Sequence, residues 1–465
     1  MDTTHTSMRT CTFLLGSIVL CALLGVTAWA PPARAAAYYV NPADGNDSAD
    51  GSSSSPWRTI DKAKSTVNPG DVVNLMPGSY GSVTFSSGDK CGAGSAYITY
   101  RNNPGSSPYS ARFSRILFNG NTSFYIAVEG FDIENTGSDD ACVKVEQGSC
   151  VKIIDCKAHG RAGGAGPLYA NIFAHAADNI LIEDCEIYYS GASAHGVQLE
   201  SCDSITVRGC HVHDIISSGI RTGGGQNYTI EYNVVHDQRV DWNPSVHGSG
   251  ISIHSHNTVI RGNIIYNYGN TRPIRFYPDW AWPDGYRNML VENNLVYVTP
   301  DFPGTQWWTE FIDVGPDCVI RNNTFVGDVT VTFAGNADGS GLWICNNVVT
   351  GKLQVEQPRK WPKVRHGGNV VGRLAASGCG WMCFYSNISP SGTNKVGVSF
   401  NSGFFRSGAA HYPYSGEYPY QLSAGSPAVD FADTGQAPAT DLLRHGRVGR
   451  TDAGCMEHSG RQAAR

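Results

Sequence analysis

Four side chains in the middle of the chain carry the functional groups that proton removal beside a carboxylate requires. Arg221 and Arg275 supply guanidinium cations, which bind carboxylates in a bidentate manner. His254 supplies a base whose ordinary pKa suits neutral pH, and Tyr277 supplies an acid for a leaving oxygen. β-Elimination at a uronic acid needs this combination of cation, base and acid. We therefore predict that these four residues are catalytic.

The same four residues leave two other mechanisms open. An arginine could act as the base while His254 only binds the substrate. A C5-epimerase would use the same groups and would differ only in where the proton returns.

A second group of residues is predicted to bind sugar. Exposed tryptophan is costly unless it has a partner, and sugar rings stack on aromatic faces. Three segments beside the catalytic candidates, 236–249, 278–284 and 298–310, contain most of this group. The predicted substrate-binding residues are His175, Glu200, Trp242, His247, Trp280, Trp282, Trp307, Trp308 and Asp313. The alternative role for the tryptophans is to pack these loops against the protein.

A repeat of 23 to 31 residues supplies the elements that must position these side chains. Each unit has the form apolar-x-x-(Cys/Asn)-x-apolar, and Gly130 is predicted to begin the series. The shared position holds Cys156, Cys185, Cys210, Asn233, Asn263, Asn294, Asn323 and Asn347. Stacked Asn side chains can bond the backbone and the Asn of the next turn. Short strands at this irregular period predict an all-β fold, a right-handed parallel β-helix with N- and C-terminal caps.

A second strand lies 11 to 13 residues before most of these positions and orients the candidate site. Its predicted inward anchors are Val143, Ile172, Val197, Ile220, Ile251, Ile274 and Ile312. Side chains alternate along a strand, which defines two outward rows. One row holds Lys144, Phe173, Gln198, Arg221, Ser252, Arg275 and Asp313, and the next holds Glu146, His175, Glu200, Gly223, His254, Tyr277 and Gly315. Because neighbouring strands lie about 4.8 Å apart, the catalytic candidates are expected to converge on one sugar ring.

The remaining cysteines and histidines are assigned structural roles. Cys156, Cys185 and Cys210 are predicted to form a stack of buried thiols, whereas Cys379 and Cys383 are the better disulfide candidates. Several histidines lie near predicted turns and are expected to satisfy loop backbone groups rather than bind a metal. These are His159, His195, His211, His213 and His236. The cofactor prediction is Ca²⁺ or none, since loop Asp residues are plentiful but no ligand set can be named.

The N-terminus is typical of a secretory signal peptide. Arg9 precedes the apolar stretch 12–30, and small residues at 33–37 provide an A-x-A cleavage pattern. The predicted location is therefore extracellular or periplasmic. The formal net charge of −6 argues against a nucleic-acid or anionic-membrane partner. We expect a monomer whose partner is an extracellular, anionic polysaccharide, with no membrane association after the signal is removed.

The predicted organisation has four parts. They are a signal peptide at 1–37, an N-terminal cap with the first turns at 38–122, a regular β-helix at 123–375, and the last irregular turns with a C-terminal cap at 376–465.

Both ends of the mature chain resemble known secreted β-helix proteins. The opening segment 38–80 contains Pro-Gly-Asp-Val-Val at 69–73 and Pro-Gly-Ser-Tyr at 77–80, and the tail contains AGSPAVDFAD and DLLRHGRVGRTDAG. These segments are similar to those of polysaccharide lyases of the chondroitinase B/alginate lyase family and of pectate lyase family nine. The resemblance implies the β-helix fold and activity on a polysaccharide.

One departure limits what the resemblance implies. Lyases of both families generally use a lysine base, and this chain has no lysine between Lys157 and Lys352. The base of those families therefore has no counterpart in the stretch that contains the candidate site. Their calcium ligands also cannot be matched residue by residue.

Two other functions remain open at this stage. A glycoside hydrolase needs two carboxyl groups about 5 to 10 Å apart, whereas Glu200 and Asp313 are predicted to be four turns, about 19 Å, apart. A loop carboxylate (Asp241, Asp279 or Glu310) would have to join Asp313. A non-catalytic glycan-binding solenoid would bind sugar without turnover, because a fold alone does not specify a function.

Overall fold

A computed structural model provides the architecture. It describes residues 35–137, 139–239, 248–268, 272–277, 285–299, 309–333, 340–356, 365–377, 395–396, 398, 422–432, 434–444, 447 and 451–456. The compact unit that contains the solenoid begins at Ala36.

The described residues form one short α-helix and many short strands. The N-terminal elements are β1 (Ala37–Val40), α1 (Ile60–Thr66), β2 (Val72–Leu75), β3 (Gly78–Ser79), β4 (Ser82–Ser86), β5 (Ile98–Asn102), β6 (Ala111–Phe113), β7 (Arg115–Asn119), β8 (Ser123–Glu129), β9 (Asp132–Glu134), β10 (Ala141–Glu146), β11 (Ser149–Ile154) and β12 (Lys157–His159). The central strands are β13 (Ala170–His175), β14 (Asp178–Glu183), β15 (Glu186–Tyr188), β16 (His195–Glu200), β17 (Asp203–Arg208), β18 (His211–His213), β19 (Ile220–Gly223), β20 (Gln226–Glu231), β21 (Val234–His236), β22 (Ile251–Ile253), β23 (Val259–Arg261) and β24 (Ile264–Tyr266). The later strands are β25 (Ile274–Phe276), β26 (Leu290–Glu292), β27 (Leu295–Tyr297), β28 (Thr309–Val314), β29 (Val319–Arg321), β30 (Thr324–Phe325), β31 (Val329–Phe333), β32 (Trp343–Cys345), β33 (Val348–Glu356), β34 (Arg365–Gly367), β35 (Val370–Ser377) and β36 (Lys395–Val396).

These strands stack into three parallel columns, as the repeat predicts. Sheet 1 runs β1-β2-β5-β8-β11-β14-β17-β20-β23-β26-β29-β32-β34. Sheet 2 runs from β4 through β7, β10, β13, β16, β19, β22, β25 and β28 to β31, and sheet 3 from β3 through β6, β9, β12, β15, β18, β21, β24 and β27 to β30. Strands β33 and β35 are long enough to continue both sheets 2 and 3. Each turn of the solenoid thus passes through sheets 2, 1 and 3 in that order.

Stacked aliphatic side chains fill the interior of the solenoid. In sheet 2 the inward residues Val143, Ile172, Val197, Ile220, Ile251 and Ile274 pair in register and are almost fully buried. Burial of each Val or Ile stabilises the fold by roughly 1.5–3 kcal/mol relative to exposure. The alternation of apolar and polar residues along each strand therefore decides which side chains point outward.

The predicted Asn ladder is present at the corner between sheets 1 and 3. Asn233, Asn263, Asn294, Asn323, Asn347 and also Asn369 are buried, and each side-chain amide donates to Oδ1 of the next at 2.9–3.0 Å. Each Oδ1 also accepts the backbone N–H of the preceding ladder residue, as Asn263 does from Asn233 at 3.0 Å and Asn233 does from Cys210 at 2.9 Å. The ladder therefore satisfies buried backbone groups at a corner where the strands break.

The left-handed residue of this corner is the one before the ladder position. Its φ lies between 50° and 65° from Asp155 to Gly368. Gly130 has φ 74° and the buried Phe131 follows it. The prediction that Gly130 begins the ladder is therefore off by one residue, because glycine there serves the positive φ while Phe131 fills the interior.

Cys156, Cys185 and Cys210 continue the ladder as buried thiols without disulfides, as predicted. Burial raises the pKa of Cys156 and Cys185 well above the ordinary value, which keeps them protonated. Cys379 and Cys383 lie outside the described residues.

Other segments pack against the first turns of the solenoid and against its outer surface. Helix α1 contributes Ile60 and Ala63 to the core beside Trp57. Near the other end, Leu442, Cys455 and Met456 pack on the outer side of sheet 3 against a cluster that includes Ile264 and Leu295. Within the part of the chain that the structure describes, no helix is long and apolar enough to cross a membrane.

Candidate active site

The outer side of sheet 2 from β16 to β28 contains the predicted catalytic residues and is called the site face below. In its first row, Gln198, Arg221, Ser252, Arg275 and Glu310 pair in register on successive turns. Arg221 and Arg275 are therefore two turns apart, about 10 Å by the spacing of the strands.

The register at the last strand of this face differs from the prediction. Glu310, not Asp313, pairs with Arg275, and Phe311 pairs with Phe276. The register of β28 against β31 shifts after Phe311, and Asp313 has a left-handed φ of 52°. Placing Asp313 in the first row was therefore wrong. The rings of Phe276 and Phe311 pack edge to face in the core, with centroids 5.0 Å apart, so these aromatic side chains set the register.

The second row places His254 directly beside Tyr277. Glu146, His175, Glu200 and Gly223 pair in register, and the row continues at the ends of β22 and β25. There the His254 and Tyr277 rings stack with centroids 4.5 Å apart and 17° between their planes. The Tyr277 side chain is exposed, and the Arg275 guanidinium lies 4.3 Å from the centre of its ring. A base, an acid and a cation thus meet on two neighbouring turns.

Buried groups hold the backbone on both sides of this contact. The hydroxyl of the fully buried Tyr286 lies within hydrogen-bond distance of the carbonyl oxygens of Ile253 and Tyr277, which share its single proton. The His254 N–H donates to Oγ1 of the buried Thr222 at 2.8 Å. Neither Tyr286 nor Thr222 was identified from the sequence, since neither occupies an outward position of the repeat.

The two arginines of the first row turn away from each other. Arg221 Nη1 contacts Glu200 Oε1 at 3.2 Å on the preceding turn. Arg275 Nε lies 3.4 Å from Glu310 Oε2 on the following turn, and Arg272 contacts the same oxygen. Burial and the nearby Arg272 charge lower the pKa of Arg275. The structure therefore does not bring Arg221 and Arg275 together as a single carboxylate clamp.

The earlier turns of the second row form an ion-paired group. His175 Nδ1 lies 2.6 Å from Glu146 Oε1, and Lys144 Nζ lies 2.8 Å from Glu146 Oε2. Burial opposes ionisation of Glu146, but its hydrogen bonds with Lys144 and His175 outweigh this effect and lower the pKa. His175 and Glu200 are neighbours across one strand pair, as predicted.

His195, which was assigned to a turn, lies at the start of β16 close to the site. Its Nδ1 accepts a hydrogen bond from the Ser218 N–H at 3.1 Å, so the ring is neutral in this geometry. Burial, followed by the charges of Arg221 and His254, lowers the pKa of His195 to about 3.

The predicted sugar-binding residues of the loops cannot be placed. Trp242, His247, Trp280, Trp282, Trp307 and Trp308 lie outside the described residues, as do Asp241 and Asp279.

A second cluster of polar side chains lies on the outer side of sheet 3. The rings of His159, Tyr188, His213, His236, Tyr266 and Tyr297 stack along the solenoid with successive centroids 4.5–5.3 Å apart. Beside this ring column, Glu186 pairs in register with His211. The histidines at 159, 211, 213 and 236 lie at the ends of short strands, next to turns, and His159 Nδ1 contacts the Gly160 carbonyl oxygen at 2.8 Å, as predicted for a residue that satisfies loop backbone. The alternating His-Val-His at 211–213 was the available sequence signal for strand positions with both rings on one side.

The pKa values of two histidines in this cluster are shifted in opposite directions. Burial disfavours the charged ring of His213, but Asp214 and Glu186 outweigh it and raise its pKa to about 9. Burial, reinforced by His213 and His236, lowers the pKa of His211 to about 3.

The chain has weak similarity to several solved structures. No curated protein matches the sequence significantly. Among solved structures, a pectate lyase, Pel9A, is 16% identical with a TM-score of 0.45, covering 91% of this chain and 96% of its own. A PL6 family polysaccharide lyase from Pseudopedobacter saltans is 14% identical with a TM-score of 0.48, covering 80% and 96%. A GH87 alpha-1,3-glucanase from Streptomyces thermodiastaticus is 15% identical with a TM-score of 0.45, covering 79% and 68%.

The family model described as "Right handed beta helix region" matches residues 79–265 and 195–357, which together span more than half of the chain. These residues include every strand of the site face, from β16 to β28. The chain belongs to the right-handed β-helix family.

Proposed function

We propose that this protein is a secreted enzyme that cleaves a uronic-acid-containing polysaccharide by β-elimination on the site face. The observation that supports this most directly is the group formed by His254, Tyr277 and Arg275. Their ring stacking and cation–π contact bring a base, an acid and a cation within one sugar's width. β-Elimination requires these three groups together.

The reaction can be written with these residues in definite roles. Arg275 neutralises the uronate carboxylate, which makes the C5 proton easier to remove. His254 takes that proton, and the released electron pair forms the C4–C5 double bond. The C4–O bond breaks, and the Tyr277 hydroxyl gives its proton to the leaving oxygen. The products are a 4,5-unsaturated uronate and a new reducing end, and proton transfer from His254 to Tyr277 restores the starting state.

The charges of the site face support an anionic substrate. Among the described residues, Arg272 and Arg275 share the Glu310 carboxylate, so a second carboxylate can be accommodated there. Arg221, two turns away, is oriented toward Glu200 and is suited to bind a neighbouring sugar residue. We assign Arg275 to the reacting sugar and Arg221 to substrate binding.

The test is ultraviolet absorbance of the unsaturated product on purified mature protein. The substrates are pectate, alginate, glycosaminoglycans and neutral glycans, each with and without added Ca²⁺. We expect absorbance to rise with one anionic polysaccharide and to be lost in His254→Gln. A matched control is His256→Gln, two residues away, whose Nδ1 accepts the Arg287 N–H at 3.2 Å. This variant should retain activity.

Other outcomes would redirect the assignment. New reducing ends without absorbance would rule out elimination. Exchange of C5 hydrogen with solvent without cleavage would indicate an epimerase. Saturable binding without any turnover across the panel would contradict an enzymatic role and favour a glycan-binding solenoid.

One observation keeps an inverting glycoside hydrolase as the second candidate. Glu146 and Glu200 are two turns apart in the second row, about 10 Å by the strand spacing. Inverting enzymes hold their carboxyl groups about 6.5–9.5 Å apart. The lowered pKa of Glu146 suits a base rather than an acid. Under this alternative Glu146→Gln abolishes release of reducing ends, whereas it only weakens binding if the enzyme is a lyase.

A further inference from the structure

Three potential metal ligands meet on two consecutive turns of sheet 3, and a fourth adjoins them from the next turn. Glu186 lies on β15, His211 and His213 on β18, and His236 on β21. One ligand atom from each of Glu186, His211 and His213 falls within 4.8 Å of the others. His213 Nε2 lies 3.5 Å from Glu186 Oε1, and His236 Nε2 lies 2.6 Å from His211 Nε2. Two imidazole nitrogens and one carboxylate oxygen therefore surround a common point, and the His236 imidazole contacts this group through His211.

Carboxylates behind the rings orient two of these histidines. His213 Nδ1 bonds Asp214 at 2.8 Å and His236 Nδ1 bonds Asp237 at 2.8 Å. Each carboxylate is held in turn, Asp214 by Arg239 at 3.0 Å and Asp237 by Asn267 at 2.7 Å. When a metal-binding histidine donates its other N–H to a carboxylate, the lone pair of the second nitrogen faces the metal. This arrangement directs both Nε2 atoms toward the cluster.

An incompletely satisfied nitrogen points into the same place. His213 Nε2 is buried and makes no hydrogen bond of acceptable geometry. A buried polar atom without such a partner costs about 1–3 kcal/mol. A metal ion coordinated by this nitrogen removes that cost.

We infer that Glu186, His211 and His213 form a structural binding site for a zinc-class divalent transition metal, with His236 moving in as the fourth ligand. Imidazole-rich sites favour Zn²⁺ and its neighbours, whereas Ca²⁺ and Mg²⁺ prefer all-oxygen sites. Four protein ligands close a tetrahedral site, which is the arrangement of structural rather than catalytic zinc. The ion would tie three turns of sheet 3 together.

Binding requires several adjustments. His236 must move toward Glu186 and His213, because only the other three ligand atoms lie within 4.8 Å of one another. His213, whose pKa is raised to about 9, must release its Nε2 proton to the solvent. With Zn–N bonds of about 2.0–2.1 Å, tetrahedral ligand nitrogens lie about 3.3 Å apart. The His211 and His236 rings must therefore separate by about 0.7 Å. His211 must also present a lone pair at Nε2, which a change of tautomer provides because Nδ1 can carry the proton.

The site is tested on the mature chain without a polyhistidine tag. Zn²⁺ content is measured by elemental analysis after dialysis, and Co²⁺ binding is followed by its visible absorption, whose intensity reports tetrahedral coordination. We expect one ion per chain, displacement of Co²⁺ by Zn²⁺, and no displacement by Ca²⁺ or Mg²⁺. Asp237→Asn should weaken binding by about 10–100-fold, and His211→Gln or His236→Gln by at least as much.

His159→Gln is the matched control. His159 belongs to the same ring column and also bonds a carboxylate, Asp132, at 2.8 Å, but it lies outside the four-ligand cluster. It should bind Zn²⁺ as the unmodified protein does. Far-ultraviolet circular dichroism establishes that each variant is folded. Absence of Co²⁺ and Zn²⁺ binding by the unmodified chain at micromolar concentrations overturns the inference without reference to any variant, and so does equal binding by folded His211→Gln.

Discussion

The imidazole of His254 stacks on the phenol of Tyr277, with ring centroids 4.5 Å apart and 17° between the planes. The two residues come from neighbouring turns and are 23 positions apart in the chain. Stacking brings their proton-carrying groups to the same side of the solenoid. It also leaves the exposed edge of Tyr277 available to a substrate, since this side chain is 41% exposed.

The substitution Tyr277→Phe tests the hydroxyl of Tyr277 separately from the packing of its ring. The variant retains the surface on which His254 and Arg275 pack but lacks the hydroxyl. If Tyr277 is the acid, kcat should fall by about 10²–10⁴-fold, the range for one general acid–base group. KM should change little. The measurement is steady-state kinetics from product absorbance, and an unchanged kcat would remove Tyr277 from the mechanism.

Tyr286→Phe tests a positioning residue. Its hydroxyl lies between the carbonyl oxygens of Ile253 and Tyr277, so its loss loosens the chain on both sides of the proposed catalytic residues. We expect kcat to fall by about tenfold while KM is retained, with a stability loss of about 1–3 kcal/mol, because the Tyr277 carbonyl loses this donor while the Ile253 carbonyl keeps the Tyr277 N–H.

The control for this variant is Tyr228→Phe. The Tyr228 hydroxyl likewise bonds two carbonyl oxygens, those of Cys202 and Gly224, in a buried position. It should lose similar stability without the same loss of kcat. Equal kinetic effects in the two variants would show that Tyr286 acts only through stability.

Asn263→Ala tests the buried ladder. Asn263 bonds Asn294, the Ile230 carbonyl and the Asn233 backbone, so its removal leaves buried groups unsatisfied on both neighbouring turns. We expect a loss of about 2–4 kcal/mol in the free energy of unfolding. Urea denaturation followed by circular dichroism provides the measurement.

An outer Asn row provides the comparison for the ladder. Asn257 bonds Asn227 and Asn288 at the surface and has a φ of 50°, so Asn257→Gly removes the side chain without backbone strain. The free energy of unfolding of Asn257→Gly should fall by less than about 1 kcal/mol, because water replaces these hydrogen bonds. Similar losses for both variants would contradict a special contribution from the buried ladder.

His195 should make stability pH-dependent on the acidic side. Its pKa in the folded protein is lowered to about 3 by burial and by the charges of Arg221 and His254, from an ordinary 6.5. The unfolded chain therefore binds a proton between these values that the folded protein does not. The contribution of His195 to the free energy of unfolding is fully present above pH 6.5. It is lost as the pH falls toward 3, by up to about 1.4 kcal/mol per pH unit. Unfolding free energies at pH 7, 5.5 and 4.5 should show a shallower decline in His195→Gln.

His159→Gln should show the opposite pH dependence. Burial opposes the charged ring, but the hydrogen bond to Asp132 outweighs it and raises the pKa of His159. Its contribution is therefore fully present below pH 6.5 and is lost as the pH rises through the folded value. The variant should differ most from the unmodified protein at acidic pH. Parallel pH profiles for the His195 and His159 variants would refute both assignments.

Much of the fold follows from local pattern. The Cys/Asn repeat and the β-branched strands predict the solenoid, because a period of two sets the inward side chains and stacked Asn residues satisfy a buried corner. The pairing of Ile220, Ile251 and Ile274 follows from this pattern without further information. The same alternation correctly predicts that Arg221 and Arg275 share a row.

The sequence could not predict what depends on contacts between turns. Asp313 and Glu310 are both acidic residues of one strand, and only the packing of Phe311 on Phe276 determines that Glu310 joins the first row. The opposite orientations of Arg221 and Arg275 depend on which carboxylate each one reaches.

The amino-acid sequence by itself determined the class of fold, the inward and outward sides of each regular strand, and the inventory of acid, base and cation on the site face. Tertiary structure decided which of these groups touch, and it assembled Glu186, His211 and His213 into one cluster that His236 contacts from the next turn. The physical reason is that strand periodicity is a local property of the chain. Contact between side chains on different turns instead depends on register, which the intervening loops of unequal length leave undetermined until the core packs.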